Sequence, residues 1–204
     1  MSQTDLSREL YQSLWNAADV LRGQMDANEY KSYLLGLIFY KYLSDNILRA
    51  VCDNLDEDFE SFPQAQELYE ENFADPEVRE DLIEIFNDEL GYVIEPSLTF
   101  TKLVQDIHEG TFQLETLAQS FRDIEQSNEK FENLFEDIDL YAKKLGSTPQ
   151  KQNKTISEVM KQLNDLNVSG HAGDILGDAY EYLIGQFASD SGKKAGEFYT
   201  PQAV

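Results

Sequence analysis

Apolar residues recur at three- and four-residue spacing along most of the chain, the period of a helix with one face turned to a core. Leu6, Leu10, Leu14, Ala17, Ala18 and Leu21 form the first stripe, widened by Tyr11 and Trp15. Asp26 followed by Glu29 has the form of a capping box, in which an N-cap carboxylate and a glutamate three residues on satisfy each other's backbone donors. The helix it starts is predicted to run to about Asn54, with Tyr33, Leu34, Leu37, Ile38, Ile47, Leu48 and Val51 along it. Residues 33–40 are apolar on every side, so this helix is expected to be the central, most buried one. Asp75-Pro76-Glu77 is a second start signal: an aspartate cap, a proline suited to the first helical position, and an acid at the positive end of the dipole. Gly91 stands where a C-terminal cap belongs. Residues 92–100, with Pro96 inside, are predicted to form a connector with a short extended piece. Further helices are predicted over about 101–108, 112–126, 131–140, 155–166 and 173–188. Residues 145–153, with Gly146 and Pro149, read as a linker. The pattern predicts an all-α fold, a helical bundle over residues 1–168.

Charge sharpens this picture. The chain has 204 residues, enough to bury about 70% of its unfolded surface without a metal or disulfide. It carries 39 acidic and 16 basic residues, a formal net charge of −23. That excludes a free-standing nucleic-acid binder with a global basic face, and a protein held to anionic lipid by polybasic segments. The imbalance is local. Residues 1–140 hold 32 acids and 9 bases, whereas residues 141–204 hold 7 of each. Residues 53–89 are densest, with 15 acids against Arg79 alone. Such a block is either a solvated helix face with loops, or a surface that keeps DNA away or imitates it. No apolar run approaches the 18 or so residues of a membrane span, and no signal peptide is visible at the N-terminus. The one cysteine, Cys52, excludes an internal disulfide. A soluble cytoplasmic protein is expected.

Several catalytic or metal patterns fail on inspection. Ser191-Gly192-Lys193-Lys194 lacks the preceding glycine and the hydroxyl residue of a phosphate loop. Asp56, Asp58, Glu60 and Glu67 have calcium-loop spacing, but Ser61 replaces the turn glycine and Pro63 interrupts the loop. His108 and His171 have no cysteine or HExxH context and read as surface or packing residues. No metal site is expected. The segment Glu197, Phe198, Tyr199, Thr200, Pro201, Gln202 is different. It reads as a short extended piece followed by an N-cap and first helical proline. Free N–H groups beside aromatic rings suit a ligand with a carboxylate and a flat base, and the same pattern also describes an ordinary loop-to-helix entry. The chain ends as this helix starts, which suggests a fragment.

Two blocks carry a family resemblance. One is residues 14–23 (LWNAADVLRG) with 29–45 (EYKSYLLGLIFYKYLSD); the other is residues 177–188 with 192–201 (GKKAGEFYTP). The chain resembles the modification (M) subunit of type I restriction–modification systems. The resemblance implies a helical N-terminal domain over 1–168. Residues 169–204 would then be a linker helix and the first edge of an α/β, Rossmann-like methyltransferase domain that is mostly absent. It implies adenine-N6 methylation of DNA with S-adenosylmethionine as cofactor, and places Glu197, Phe198, Tyr199, Thr200, Pro201 and Gln202 along that cofactor. It implies a specificity subunit, a second M subunit, a restriction subunit and double-stranded DNA as partners, and no membrane. The family's glycine-rich cofactor loop and its NPPF/Y-like motif do not occur in these residues, so no catalytic residue is expected here and the chain alone should be inactive. For DNA clamping within the complex, Lys143, Lys144, Lys151 and Lys154 are the candidate contacts. The competing reading is a free-standing acidic helical interaction protein, either a DNA mimic or a truncated regulatory subunit.

Overall fold

In the computed structural model, backbone is described for residues 3–166 and side chains from residue 10 onward. The described residues form seven α-helices and no strand. α1 (Gln3–Arg22) and α2 (Ala27–Asn54) are joined by a tight turn. α3 (Phe62–Phe73), α4 (Pro76–Glu89), α5 (Phe100–Glu109), α6 (Leu114–Ser127) and α7 (Pro149–Asn164) follow. Because α7 packs chiefly on α1, the two ends of the described segment close one bundle.

The strong local signals are realised. Asp26 Oδ1 accepts from the N–H groups of Asn28 and Glu29 at 3.1 and 3.2 Å, and Glu29 Oε2 accepts from Asp26 N–H at 3.2 Å. α2 is the centre of the bundle. Leu34, Leu37, Ile38, Tyr40, Ile47, Leu48, Val51 and Cys52 are fully buried, and α2 contacts α1, α3, α4, α5 and α7. Asp75 caps α4 through Glu77 N–H at 2.9 Å. Gly91 takes the left-handed conformation, φ +80°, and its N–H reaches Phe86 O at 3.0 Å, the closing bond of a helix C-terminus.

Three expectations are corrected. Residues 131–140 are not a helix: after a 3-10 turn at Glu129–Phe131 they run as successive turns, with Asn133 at φ +61°. Residues 145–153 are not a linker. Thr148 caps α7, Pro149 is its first residue, and Leu145 and Gln152 are buried. The connector at 92–100 is as expected irregular, with extended backbone at Glu95 and Thr99, and it adds a 3-10 turn at Pro96–Leu98 between them. Trp15 does not widen the buried stripe. It is 38% exposed, and the Arg22 guanidinium lies 4.2 Å over its ring. One helix had no sequence prediction of its own: α3 starts inside the acidic block, with Ser61 Oγ accepting from Gln64 N–H at 3.3 Å and Pro63 in its first turn. It buries Ala65, Gln66 and Tyr69. All fifteen acids of residues 53–89 are exposed.

Side chains sew the connector down. Tyr69 Oη donates to Ile94 O at 3.1 Å, Gln66 Nε2 to Pro96 O at 2.8 Å, and Ser120 Oγ to Leu98 O at 3.3 Å. Tyr40 Oη also donates to Leu98 O. Carbonyls that no helix satisfies thus find partners from three helices, as buried backbone requires. Burial holds the Tyr40, Tyr69 and Tyr92 hydroxyls well above the ordinary phenol range, so they stay donors.

Candidate functional site

The four candidate lysines share one stretch of chain. Lys143 and Lys144 lie in the turns before α7, and Lys151 and Lys154 lie in its first two turns; all four are exposed. That irregular stretch is fixed from several sides. Phe135 stacks on Phe121 with centroids 4.0 Å apart and planes 6° from parallel. Glu125 Oε1 accepts from Phe135 N–H at 2.8 Å, and Tyr33 Oη donates to Asp139 O at 2.6 Å. Burial and the neighbouring Asp139 charge push the Tyr33 hydroxyl up to about 12. Gly36 admits the turn onto α2: a Cβ there would stand 2.0 Å from Ile138 Cδ1. Gln152 Nε2 donates to Tyr141 O and Gly146 O at 2.9 and 3.1 Å, and Thr155 Oγ1 to Leu145 O at 2.7 Å. A Cβ on Gly146 would lie 2.5 Å from Lys151 Cβ and 2.7 Å from Gln152 N, so only glycine lets this loop rest on the start of α7.

The lysines are not equivalent. Lys144 is paired with Glu29. Among the described residues Lys151 Nζ reaches only Ser147 Oγ, at 3.5 Å. Thr148 Oγ1 caps α7 by accepting from Lys151 N–H at 3.3 Å, and the first turn of α7 contains no acid. The helix dipole therefore adds its positive end to that of the lysines. Three cations without an ion-pair partner among the described residues, together with a helix start, can attract phosphate; nothing in the set resembles a nucleophile or an acid–base pair.

The densest acidic block lies elsewhere along α2. Glu29, near its start, meets Lys144, whereas Arg49 lies over Phe59 and Phe62 at the entry to acidic α3, and Asn54 Nδ2 reaches Glu89 of α4 at 3.4 Å. Twenty residues of helix separate Glu29 from Arg49, about 30 Å at 1.5 Å per residue. That exceeds the screening length of about 8 Å at physiological salt, so the acids of α3 and α4 are screened from the lysines, whose own exposed acidic neighbours in the chain are Glu136, Asp137 and Asp139.

Glu197, Phe198, Tyr199, Thr200, Pro201 and Gln202 lie outside the described residues, as do the predicted helix at 173–188 and His171. His108 is exposed at the end of α5. Asp56, Asp58 and Glu60 occupy an exposed loop while Glu67 is on α3; among the described residues no group of three potential ligands could hold a metal ion. One buried polar pair escaped the sequence reading. Lys41 Nζ lies 2.8 Å from Asp45 Oδ2 with both side chains inside the core, although their four-residue spacing within an apolar run was the available signal.

Comparison with known proteins defines the class. Residues 10–163 match the family model of the HsdM N-terminal domain, and residues 171–204 match that of N-6 DNA methylases. The chain belongs to the HsdM N-terminal domain family. It is 31% identical to the type I restriction enzyme MpnII methylase subunit of Mycoplasma pneumoniae, over 99% of this chain and 39% of that protein. It is 28% identical to the MjaIX methylase subunit of Methanocaldococcus jannaschii, over 98% of this chain and 34% of that protein. The crystal structure of a type I restriction-modification system methyltransferase subunit from Streptococcus thermophilus superposes with a TM-score of 0.86 at 65% identity, covering 96% of this chain and 42% of that one. The chain thus spans about two fifths or less of the relatives it matches.

Proposed function

We propose that this chain is the N-terminal lobe of a type I restriction methylase subunit. The whole subunit transfers a methyl group to adenine N6 in DNA, and this lobe serves subunit assembly and closes over DNA held by its partners. The free-standing acidic interaction protein is not favoured, since both family matches run in the order of a methylase subunit. S-adenosylmethionine supplies the methyl group in this reading, with Glu197, Phe198, Tyr199, Thr200, Pro201 and Gln202 along its pocket. The target adenine leaves the base stack to be reached. The specificity subunit, a second methylase subunit and the restriction subunit are the partners, and the setting is the cytoplasm. No helix among the described residues is long and apolar enough to cross a membrane.

The carrying observation for the DNA role is the cluster of exposed lysines before and at the start of α7, set about 30 Å along α2 from acidic α3 and α4. The test uses the full-length subunit assembled with its specificity subunit. Replacing Lys143, Lys151 and Lys154 with alanine should weaken DNA binding about equally for all sequences. It should also lower the slope of log K against log salt by about 0.9 for each phosphate contact removed, so by two to three for the triple variant. An unchanged slope overturns the clamp assignment. Methylation that persists undiminished in a Tyr199→Ala/Thr200→Ala variant overturns the cofactor assignment.

A further inference from the structure

Two hollows flank the connector at residues 91–99. The first, about 240 Å³, has an apolar floor of Ile83, Val93 and Leu98, with Glu95 and Asp123 on its walls. The second, about 340 Å³, is floored by Phe73 and Pro96, with Glu70 and again Glu95 at its side. Glu95 is exposed and lines both hollows, which adjoin at its side chain as a trough, with Asp123 lining the first and Glu70 the second.

The chemistry of this trough is one-sided. Glu70 accepts from Gln66 Nε2 at 2.8 Å and Asp123 from Gln119 Nε2 at 2.5 Å, both neutral donors, and Glu70 also feels the charge of Lys102. Among the described residues the one cation lining it is Lys102, which is engaged by Asp106 at 3.1 Å. The trough is also preformed. The carbonyls of Ile94, Pro96 and Leu98 are taken by Tyr69, Gln66 and Ser120, so an occupant meets side chains instead of an open backbone edge. Little ordering of the floor remains to be done on binding. Acidity alone does not define this surface: the loop carrying Asp56, Asp58 and Glu60 is as acidic and lines neither hollow.

We propose that the trough astride Glu95 docks a basic, amphipathic segment of a protein partner, with aliphatic side chains in the two hollows and Lys or Arg against Glu70, Glu95 and Asp123. Charge complementarity selects this occupant, since phosphate is repelled by the same carboxylates. The surface is separate from the lysine end and does not depend on the DNA reading.

The test measures fluorescence polarisation of two labelled synthetic peptides with the full-length subunit at 0.15 M salt. One peptide is a helix-forming sequence of Leu, Ala, Lys and Arg; the other has the same charge with Ser in place of Leu. The Leu peptide should bind at least about tenfold more tightly than the Ser peptide. The rim variant Glu70→Gln/Glu95→Gln/Asp123→Asn should weaken the Leu peptide about tenfold. A control removing equal charge, Asp56→Asn/Asp58→Asn/Glu60→Gln, should change it less than twofold, because rim charges act locally once screened. Ile83→Ser should weaken binding with the net charge intact, which separates the apolar floor from the rim. The lysine triple variant described above should leave peptide binding unchanged, so failure of the DNA reading and failure of this proposal are distinguishable. Equal weakening by rim and control variants overturns the proposal, as do equal affinities for the two peptides or no binding of either. Self-association of the subunit that the rim variant abolishes also overturns it, by showing a second copy in the trough.

Discussion

The buried Lys41–Asp45 pair gives the sharpest test of the core. Both groups sit four residues apart on α2 with 2% and 0% of their side chains exposed. Lys41 Nζ lies 5.0 and 5.2 Å from the ring centroids of Phe62 on α3 and Phe100 on α5, so the ammonium is caged by the two helices packed against it. Asp45 Oδ1 has no hydrogen-bond partner among the described residues. Burial raises the Asp45 carboxyl to about 6, against the opposing pull of Lys41 and, more weakly, of Arg49; the Tyr92 hydroxyl faces it from the connector. Removing one partner strands a charge in the core and costs about 3–5 kcal/mol, whereas replacing both with apolar residues of similar volume is often neutral or stabilising. Lys41→Met and Asp45→Leu should therefore each destabilise by about 3–5 kcal/mol in urea unfolding followed by circular dichroism at pH 7. The double variant should lie within about 2 kcal/mol of the wild type, a coupling of several kcal/mol.

The pH dependence supplies a second reading of the same pair. A carboxyl raised in the fold above its ordinary value is one whose protonated form the fold prefers. Its contribution to stability is complete below the ordinary value of 3.8 and is lost as pH rises through about 6. The shift corresponds to about 3 kcal/mol between those limits. Asp45→Leu should abolish that slope. In Lys41→Met the carboxyl loses its cation and rises further, so the cost of that substitution should shrink as pH falls toward 5. If the single costs add in the double variant, or if the cost of Lys41→Met is the same at pH 5 and pH 8, the pair is not coupled and the reasoning fails.

Three other substitutions probe positions where one atom decides the packing. Gly146→Ala drives a Cβ into the Lys151 and Gln152 backbone and should cost about 1–3 kcal/mol, with faster amide exchange in residues 139–147. Ser44→Ala removes the acceptor, 2.7 Å away, of the buried Phe100 N–H at the start of α5, and should cost about 1–3 kcal/mol in urea midpoint analysis at unchanged m-value. Asp26→Ala removes one half of the capping box and should cost about 1 kcal/mol in the same assay, while Asp26→Asn retains most of it.

What could be read from the sequence is what short-range chemistry writes there. The capping box at Asp26 and Glu29, the Asp75-Pro76 start and the Gly91 stop each involve groups within five residues, and each lies where the pattern put it. Thr148-Pro149 and Ser61-Phe62-Pro63 are signals of the same kind. The first was masked by Gly146 and the reading of a linker, the second by the acids around it, whose density says where the surface is but not what backbone carries it.

The error at residues 131–140 has a different cause. Phe131, Leu134, Phe135 and Ile138 have helical spacing, yet Phe131 meets Tyr92, Phe135 stacks on Phe121, and Ile138, with the edge of Phe135, fills the gap above Gly36. A helix would turn all four to one surface. The observed turns reach three surfaces instead, and Glu125 and Tyr33 satisfy the backbone groups that this choice leaves open. The candidate site inherits the same property. Lys143 and Lys144 are placed by Gln152, Gly146 and Tyr33 rather than by a helix of their own, so their composition was visible in the chain while their rigidity was not. The separation of charge along α2 is likewise a fact of packing. The chain shows two electrostatic regimes, and only the pairing of Glu29 with Lys144 and of Arg49 with Phe59 and Phe62 turns that sequence asymmetry into distance in space. A surface that must approach a polyanion beside an acidic lobe needs that distance to exceed the screening length, and about 30 Å of α2 provides it.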